Sequence, residues 1–357
     1  MTPAAFAIVG TGWRSRFYLR VARALPERFR VTGIFTRDPA RRTLEPEWSA
    51  PTRGSLDELL ADRPSFVVVS VPWSVTPGLL RELADRRMPV LAETPPAPDL
   101  DGLEALGDLV RRDAPIQVAE QYQFQPMLAA QLSLVASGRL GSVSEVQESV
   151  AHAYHGIDLL RRFLGTGLGP ATITARRFRS PIVAGPDRSG PPVHEVVATT
   201  EQTLAWLDFD GRLGVHDFVD DQYFSWIRGR RLLVRGERGE IDGSTVRLLL
   251  DARTPVEMEL VRRDTGRGGN LEGLHHVGVT MGAEWLYRNP FVPARLTDDE
   301  IAVATCLDRM VAYVGGGEGF CSLAEGAHDH YLALMVAQAA DGPGTVNAPG
   351  LSWIRRT

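Results

Sequence analysis

The sequence has few of the features that mark secreted, membrane or nucleic-acid-binding proteins. Only two of its 357 residues are cysteines, Cys306 and Cys321, and their spacing is typical of neither a zinc site nor a disulfide framework. No apolar run approaches the roughly 20 residues that a membrane-spanning helix needs. The net charge of -5 gives no basic surface that would favour nucleic acid. We therefore expect a cytoplasmic protein with no metal site and with neither a nucleic-acid nor a membrane partner.

The N-terminal stretch Phe6 to Arg16 contains the strongest local signal. Phe6 to Val9 predicts a buried parallel strand, Gly10-Thr11-Gly12 a tight turn, and the residues after it a helix, which leaves no room for a signal peptide. Glycines let the backbone approach a pyrophosphate, and a helix start offers N–H donors with a positive dipole end. The stretch therefore predicts a dinucleotide site. Ser15 replaces the usual third glycine or alanine, and a turn without nucleotide is the alternative.

The length and the order of apolar segments predict two domains. A chain of 357 residues is too long for one ordinary core. Apolar runs alternate with helix-length segments over residues 1–120, which favours a doubly wound parallel sheet, that is, an α/β Rossmann domain. We expect residues 121–357 to form a second, α+β domain. Asp-Gly pairs between its alternating runs predict antiparallel hairpins, and Pro181 to Pro192 a loop.

The end of the second predicted strand bears on the choice of nucleotide. An acidic residue there accepts hydrogen bonds from the ribose 2′-hydroxyl of NAD. Here Thr36 takes that place with Arg37 beside it, and a guanidinium favours the 2′-phosphate of NADP. We predict NADP as the preferred cofactor, with NAD favoured instead if Asp38 occupies the critical position.

Ligands of doubly wound sheets bind at the carboxyl ends of the strands. The predicted cofactor-binding residues all lie in loops that follow strands: Gly10, Thr11, Gly12, Trp13, Arg14, Thr36, Arg37, Val71, Pro72, Trp73, Thr76, Glu93, Thr94 and Gln121.

Five motifs together resemble the glucose–fructose oxidoreductase/inositol dehydrogenase/MocA (Gfo/Idh/MocA) family. They are GTGWRS, VPWSVT, LAETPPA, QYQFQP and HGIDLLRRFLG. The resemblance implies an NAD(P)-binding Rossmann domain followed by an α+β domain with a large, mostly antiparallel open sheet. It also implies oxidation or reduction of a sugar, a cyclitol or a related hydroxy or carbonyl compound. A homodimer or homotetramer formed through the C-terminal sheet is implied as well.

The proton-handling residues of the family are only partly present. Its Glu-Lys-Pro motif corresponds to Glu93-Thr94-Pro95, so that Thr94 stands where the resemblance places a catalytic lysine. Its Asp, one turn before its His, falls on Ala151, while His155 and Asp158 are retained. A general acid or base contributes about 10²–10⁴-fold to a rate, and the loss is therefore a substantial one.

Other groups are available for the proton. Histidine titrates near neutrality, so we predict His155 as the acid or base, with Tyr154 and Tyr122 as phenol donors that replace the lysine. His152 is read as a strand or core histidine and Asp158 as a partner of the helix dipole or of a nearby arginine. His328 and His330, two apart on a predicted helix, are expected to face solvent.

Three hypotheses remain open on the residues alone. The first is an NADP-preferring oxidoreductase with unusual proton-transfer groups. The second is a nucleotide-binding sensor or scaffold with little turnover, which Thr94 and Ala151 favour. The third is elimination or hydrolysis in which the bound nicotinamide is recycled.

Overall fold

The computed structural model describes residues 2–38 and 50–354, and the chain divides into two compact units. The first unit combines Met1–Ala129, Arg262–Val279 and Tyr287–Ala327. The second combines Ala130–Val261, Thr280–Leu286 and His328–Thr357.

A parallel six-stranded sheet forms from the first part of the chain. Its strands are β1 (Ala4–Val9), β2 (Phe29–Phe35), β3 (Thr52–Arg53), β4 (Phe66–Val69), β5 (Val90–Ala92) and β6 (Ile116–Val118). The helices among them are α1 (Trp13–Ala24), α2 (Leu56–Ala61), α3 (Thr76–Asp85), α4 (Leu100–Ala105) and α5 (Gly107–Arg111). The strand order β3-β2-β1-β4-β5-β6 is that of a dinucleotide-binding sheet, which confirms the predicted Rossmann architecture.

The rest of the chain builds an eleven-stranded sheet. A 3₁₀ turn (Tyr122–Phe124) and α6 (Pro126–Ala136) lead to β7 (Val143–Ser149) and α7 (Ala153–Leu164). The next strands are β8 (Ala171–Val183), β9 (Val197–Asp208), β10 (Leu213–Val219), β11 (Arg231–Gly236), β12 (Gly239–Asp242) and β13 (Thr245–Asp251). Then come β14 (Thr254–Thr265), β15 (His275–Met281), β16 (Glu284–Arg288), α8 (Asp298–Val314), α9 (Leu323–Asp341) and β17 (Thr345–Ala348).

The order of this second sheet is β16-β15-β14-β13-β12-β11-β7-β10-β9-β8-β17. Its neighbours β11 and β7, β10 and β9, and β8 and β9 run antiparallel, while β10 runs parallel to β7. The predicted large, mostly antiparallel sheet is therefore confirmed.

Helix α8 completes the core of the first unit. It begins with a capping box between Thr297 and Glu300. Its apolar face, including Ile301 and Leu307, shares one buried cluster with Phe6 and Tyr18. A segment almost 300 residues distant in the sequence thus packs against the first strand and helix.

The prediction of a loop from Pro181 to Pro192 is wrong at its start. Strand β8 continues to Val183, where it pairs with Val197 of β9. On its other side, β8 pairs with β17 only over residues 171–174. Pro181 therefore lies where no ladder partner needs its missing N–H, a position at which a strand tolerates proline.

In the part of the chain that the structure describes, no helix is both long and apolar enough to span a bilayer.

Candidate functional site

The glycine turn after β1 has one tightly packed and one open position. Gly10 has φ +119°, and a Cβ there would lie 1.9 Å from the Ser70 carbonyl oxygen, so only glycine fits. Gly12 is the N-cap of α1, and a Cβ there would meet no described atom within 4 Å. The helix has neither a side-chain cap nor an acidic residue in its first turn. This open, uncapped helix start fits an anionic group such as a pyrophosphate.

The loops around this turn carry exposed side chains. Trp13 and Trp73 are 53% and 49% exposed, and Arg37 and Asp38 are also exposed at the end of β2. The backbone N–H of Asp38 donates to the Thr36 hydroxyl at 3.2 Å. Thr36 therefore closes a local turn, and the side chains presented at this position are those of the next two residues.

Four side chains of the first unit form an ion-paired cluster, defined by Arg14, Tyr18, Glu93 and Gln121. Arg14 donates from Nε to Glu93 Oε1 and from Nη2 to Gln121 Oε1, each at 2.8 Å. The Tyr18 hydroxyl donates to the same Glu93 oxygen. Helix α1 and the loops after β5 and β6 supply these residues, so the sheet brings together three predicted cofactor-binding residues.

The environment of the ion-paired cluster raises the pKa values of Tyr18 and Arg14. Burial, followed by the charge of Glu93, raises the pKa of Tyr18 well above its usual value. Burial acts to lower the pKa of Arg14, but Glu93 and Tyr18 together outweigh it and the net pKa is raised. Tyr18 therefore stays protonated and Arg14 charged near neutral pH.

Two other predicted residues lie near this cluster in the chain. Thr94 is half-buried and joined to Pro95 by a cis peptide bond. Tyr122 is 7% exposed in the 3₁₀ turn, and its backbone N–H donates to Glu120 Oε1 at 3.2 Å.

The second unit contains an imidazole–phenol cluster, defined by His152, Tyr154, His155 and Tyr223. His152 is the N-cap of α7, immediately after β7. Its ring centroid lies 5.1 Å from that of His155 and 5.3 Å from that of Tyr154. The Tyr154 and His155 rings are 4.4 Å apart. The start of α7 thus brings together both catalytic candidates predicted in this unit and adds His152.

Tyr223 enters this cluster from the turn after β10. Its hydroxyl oxygen lies 2.7 Å from His152 Nδ1, and the His152 backbone N–H donates to it at 3.0 Å. No sequence pattern pointed to Tyr223, because 71 residues separate it from His152. Only the folding of β10 alongside β7 brings the two together.

The environment of His152 holds its ring neutral. Burial, and then the charges of His155 and His216, lower the pKa of His152 to about 3, while Glu148 acts in the opposite direction. His152 is half-buried, whereas His155 is only 6% exposed. His152 does not lie in a strand, because β7 ends at Ser149, and its interpretation as a core histidine stays a prediction.

A buried Glu–His pair lies beside this cluster. Glu148 and His216 occupy paired positions of the parallel strands β7 and β10, and Glu148 Oε1 contacts His216 Nδ1. The other carboxylate oxygen accepts the N–H groups of Val150 and Ala151 at 2.9 and 3.3 Å. A Cβ at Gly156 of α7 would lie 2.2 Å from Glu148 Oε1, so the pair requires glycine there.

Asp158 of α7 has an arginine partner, and two histidines of α9 are buried. Arg162 Nε donates to both oxygens of Asp158, at 2.8 and 2.9 Å, which confirms an arginine partner for Asp158. The expectation that His328 and His330 face solvent is wrong, because they are 0% and 6% exposed. The middle of α9 is buried on all sides, so positions two apart are both covered.

Within residues 2–38 and 50–354, no group of three or more histidine, cysteine, aspartate or glutamate side chains is placed to hold a metal ion.

Comparison with known sequences gives a family for the N-terminal part. Residues 4–120 match the GFO_IDH_MocA oxidoreductase family, described as an NAD-binding Rossmann fold. A myo-inositol dehydrogenase, Hyg17 of Streptomyces leeuwenhoekii, is 32% identical over 140 residues. That stretch is 38% of this chain and 42% of the relative, less than half of each.

Solved structures resemble the whole chain. An oxidoreductase from Agrobacterium radiobacter in complex with NAD+, L-tartaric acid and magnesium has a TM-score of 0.67 at 18% identity, over 97% of this chain and 98% of that one. A levoglucosan dehydrogenase in complex with NADH and levoglucosan has a TM-score of 0.69 at 15% identity, over 97% and 100%. At these identities the likeness establishes the fold. The match to the Gfo/Idh/MocA oxidoreductase family covers residues 4–120, about a third of the chain.

Proposed function

We propose that this protein is an NAD(P)-dependent oxidoreductase that acts on a sugar, a cyclitol or a related hydroxy or carbonyl compound. The observation that carries the proposal is the open, uncapped start of α1 at Gly12, next to β1 in a sheet of dinucleotide-binding order. The family match and the names of the relatives, which include inositol and levoglucosan dehydrogenases, support the class of substrate.

The first unit supplies the residues that would hold the nucleotide. The Gly10-Thr11-Gly12 turn and the first turn of α1 fit the pyrophosphate. Arg37, exposed after β2, would bind a 2′-phosphate, which favours NADP over NAD. The loop from Val71 to Thr76, with its exposed Trp73, and Thr94 are proposed to contact the rest of the cofactor. The bound nucleotide supplies the donor or acceptor of hydride.

The second unit supplies the proton. No lysine follows Glu93. In the ion-paired cluster, the pKa values of Arg14 and Tyr18 are raised, so neither group releases a proton near neutral pH. The imidazole–phenol cluster contains groups that can exchange one, with His155 and Tyr154 as the predicted pair. Tyr122 stays a proposed phenol donor of the first unit.

We propose a homodimer or homotetramer formed through the second sheet. Phe178 of β8 and Trp206 of β9 are 52% and 42% exposed, and the register places them on the same face. Large exposed aromatic side chains on one face are typical of an interaction surface. Sedimentation velocity of the wild type and of Phe178→Asp would test this, with a smaller species expected for the variant.

A second candidate function is nucleotide binding with little turnover. Thr94, in place of a lysine, favours it. The variant Thr94→Lys separates the two, because it would restore activity to an inactive protein. In an enzyme that already has a different proton donor, Thr94→Lys would increase the activity little. Recycling of the nicotinamide without net loss would instead indicate elimination or hydrolysis.

The direct test measures the absorbance of reduced nicotinamide with a panel of polyols, cyclitols and ketoses. We expect stoichiometric oxidation or reduction with at least one compound, and a lower KM for the NADP pair than for the NAD pair. Saturable nucleotide binding without turnover on any compound would contradict the proposal.

A further inference from the structure

The guanidinium of Arg14 is held at two of its nitrogens and open at the third. Nε donates to Glu93 Oε1 and Nη2 to Gln121 Oε1, each at 2.8 Å. Within residues 2–38 and 50–354, Nη1 makes no hydrogen bond. Nη1 is not buried, and 16% of the side chain is exposed. Its two N–H groups are therefore available to a ligand.

The place of this guanidinium in the sheet indicates which part of a dinucleotide it faces. A dinucleotide lies across the carboxyl ends of a doubly wound sheet, with one nucleotide over each half. The end of β2 contacts the 2′ position of the adenosine ribose, so the half formed by β1 to β3 takes the adenosine. Glu93 and Gln121 follow β5 and β6, in the other half. Arg14 is therefore anchored on the nicotinamide side.

The ion pair with Glu93 determines which ligand atom suits Nη1. A carboxylate in contact with the guanidinium offsets its charge and disfavours a second anion such as a phosphate. A neutral carbonyl oxygen meets no such repulsion, and a charged donor gives it a stronger hydrogen bond than a neutral donor does. The nicotinamide half of the nucleotide has one carbonyl oxygen, that of the carboxamide.

We infer that Arg14 Nη1 binds the carboxamide oxygen of the nicotinamide, and that Glu93 and Gln121 orient the guanidinium for this contact. The inference rests on the proposed function and deepens it by naming the residue that fixes the rotation of the nicotinamide ring. A ring held at its carboxamide cannot turn about its bond to the ribose, so it presents one fixed face for hydride transfer.

Tyr18 strengthens this arrangement from one turn further along α1. Its hydroxyl donates to the Glu93 oxygen that Arg14 contacts. The Tyr18 ring is fully buried, and its centroid lies 5.9 Å from the guanidinium carbon of Arg14. Partners on α1 and on the loops after β5 and β6 thus set the direction of Nη1 before a ligand binds. Such preorganisation lowers the entropic cost of binding.

The first measurement uses the wild type alone. Isothermal titration calorimetry compares NADP, its thionicotinamide analogue and 2′-phospho-ADP-ribose, which lacks the nicotinamide ring. If NAD binds more tightly than NADP, the same comparison uses NAD, thio-NAD and ADP-ribose. Sulfur accepts hydrogen bonds more weakly than oxygen, so we expect the thio analogue to bind at least about threefold more weakly than the natural nucleotide. Equal affinities overturn the inference.

The second measurement repeats the titrations with Arg14→Met and Arg14→Lys. Lysine keeps a charge beside Glu93, but its single ammonium lacks the fork that contacts two partners and a ligand together. We expect NADP to bind about ten- to 100-fold more weakly to both variants, with no discrimination against the thio analogue. The affinity for 2′-phospho-ADP-ribose should stay unchanged. Arg20→Met, which removes the exposed pair with Glu300 from the same helix, is the control and should match the wild type with all three probes.

The outcomes separate the two proposals. An equal loss of affinity for NADP and for 2′-phospho-ADP-ribose would mean that Arg14 supports the pyrophosphate turn and not the ring, and it overturns the inference. Unchanged NADP affinity overturns it as well, and either result leaves the oxidoreductase standing. Absence of NADP and NAD binding by the wild type overturns both proposals. Circular dichroism shows whether each variant is folded, and Arg14→Lys decides if Arg14→Met is not.

Discussion

The ion-paired cluster of the first unit and the imidazole–phenol cluster of the second use opposite electrostatics. In the first, Arg14 and Glu93 are charged and share their hydrogen bonds with Tyr18 and Gln121. In the second, the contacts of His152 are with rings and one phenol hydroxyl, and its ring is neutral. Both are largely buried, but only one of them contains a paired charge.

The two clusters are suited to different roles: the charged one positions residues, whereas the neutral one can transfer protons. Opposite charges in contact stabilise each other's ionised state, so Arg14 and Glu93 hold α1 against the loop after β5 without exchanging protons. A neutral imidazole beside a phenol can donate and accept in turn.

Each unit contains a glycine with no room for a side chain, Gly10 in the turn after β1 and Gly156 beside the Glu148–His216 pair, and Gly10 should be the less tolerant. Gly10→Ala combines a positive φ with a carbonyl oxygen 1.9 Å from the new Cβ, so we expect a loss of about 3–5 kcal/mol. Gly156→Ala, at 2.2 Å from Glu148 Oε1, should lose about 1–3 kcal/mol.

Urea unfolding measures these free energies. Gly78→Ala in α3 is the control, because its Cβ would meet no described atom within 4 Å. We expect it to gain about 0.5–1 kcal/mol. A Gly10→Ala variant as stable as the wild type would mean that the turn is not packed as the structure shows.

Removal of the cation tests the first cluster alone. Arg14→Met leaves the Glu93 carboxylate, whose side chain is 13% exposed, without its ion pair. We expect the free energy of unfolding to fall by about 2–4 kcal/mol. Arg86→Met, which breaks the exposed pairs with Asp57 and Glu82, should change it by less than about 0.5 kcal/mol. Equal losses of unfolding free energy in the two variants would mean that the buried ion pair stabilises the fold no more than the exposed ones do.

The dependence of stability on acid pH tests the second cluster. The pKa of His152 is lowered from 6.5 to about 3 on folding, so the unfolded chain binds the proton first as the pH falls. His152 therefore costs stability progressively from pH 6.5 down toward pH 3 and has no effect above pH 6.5. We expect His152→Gln to reduce the slope in that window by up to about 1.4 kcal/mol per pH unit.

The comparison must be made between variants, since Asp329, with a pKa raised to about 7, acts in the opposite direction in all of them. His194→Gln, at an exposed position, is the matched control for loss of an imidazole. A His152→Gln curve parallel to that of the wild type would show that His152 titrates normally.

The sequence predicted what is local and missed what depends on distant pairing. The Gly10 turn and α1 follow from neighbouring residues, because strand, turn and helix patterns each extend over a few positions. The partner of Arg14 is 79 residues away, and that of His152 is 71 residues away. Which side chains meet across a sheet depends on strand order and register, and no local pattern contains these.

Buried polar side chains are a second reason why predictions from the sequence are wrong. Positions two apart on a helix usually diverge, which predicts an exposed His328, yet α9 is covered on all sides around this residue and His328 is buried. Its Nε2 contacts the Gly169 carbonyl oxygen at 3.2 Å. Helical periodicity predicts faces, but whether one face or all of them are covered depends on the tertiary structure.

Titration of the wild type and of Gly12→Asp with NADPH, followed by its fluorescence, measures whether the start of α1 binds the nucleotide. Aspartate is a favourable N-cap residue, and no described atom lies within 4 Å of the new Cβ, so the variant should be at least as stable as the wild type. A carboxylate at this helix start would, however, repel a pyrophosphate. We predict saturable binding by the wild type and an affinity at least about tenfold weaker in Gly12→Asp. Equal affinities, or no saturable binding by the wild type, would contradict the account.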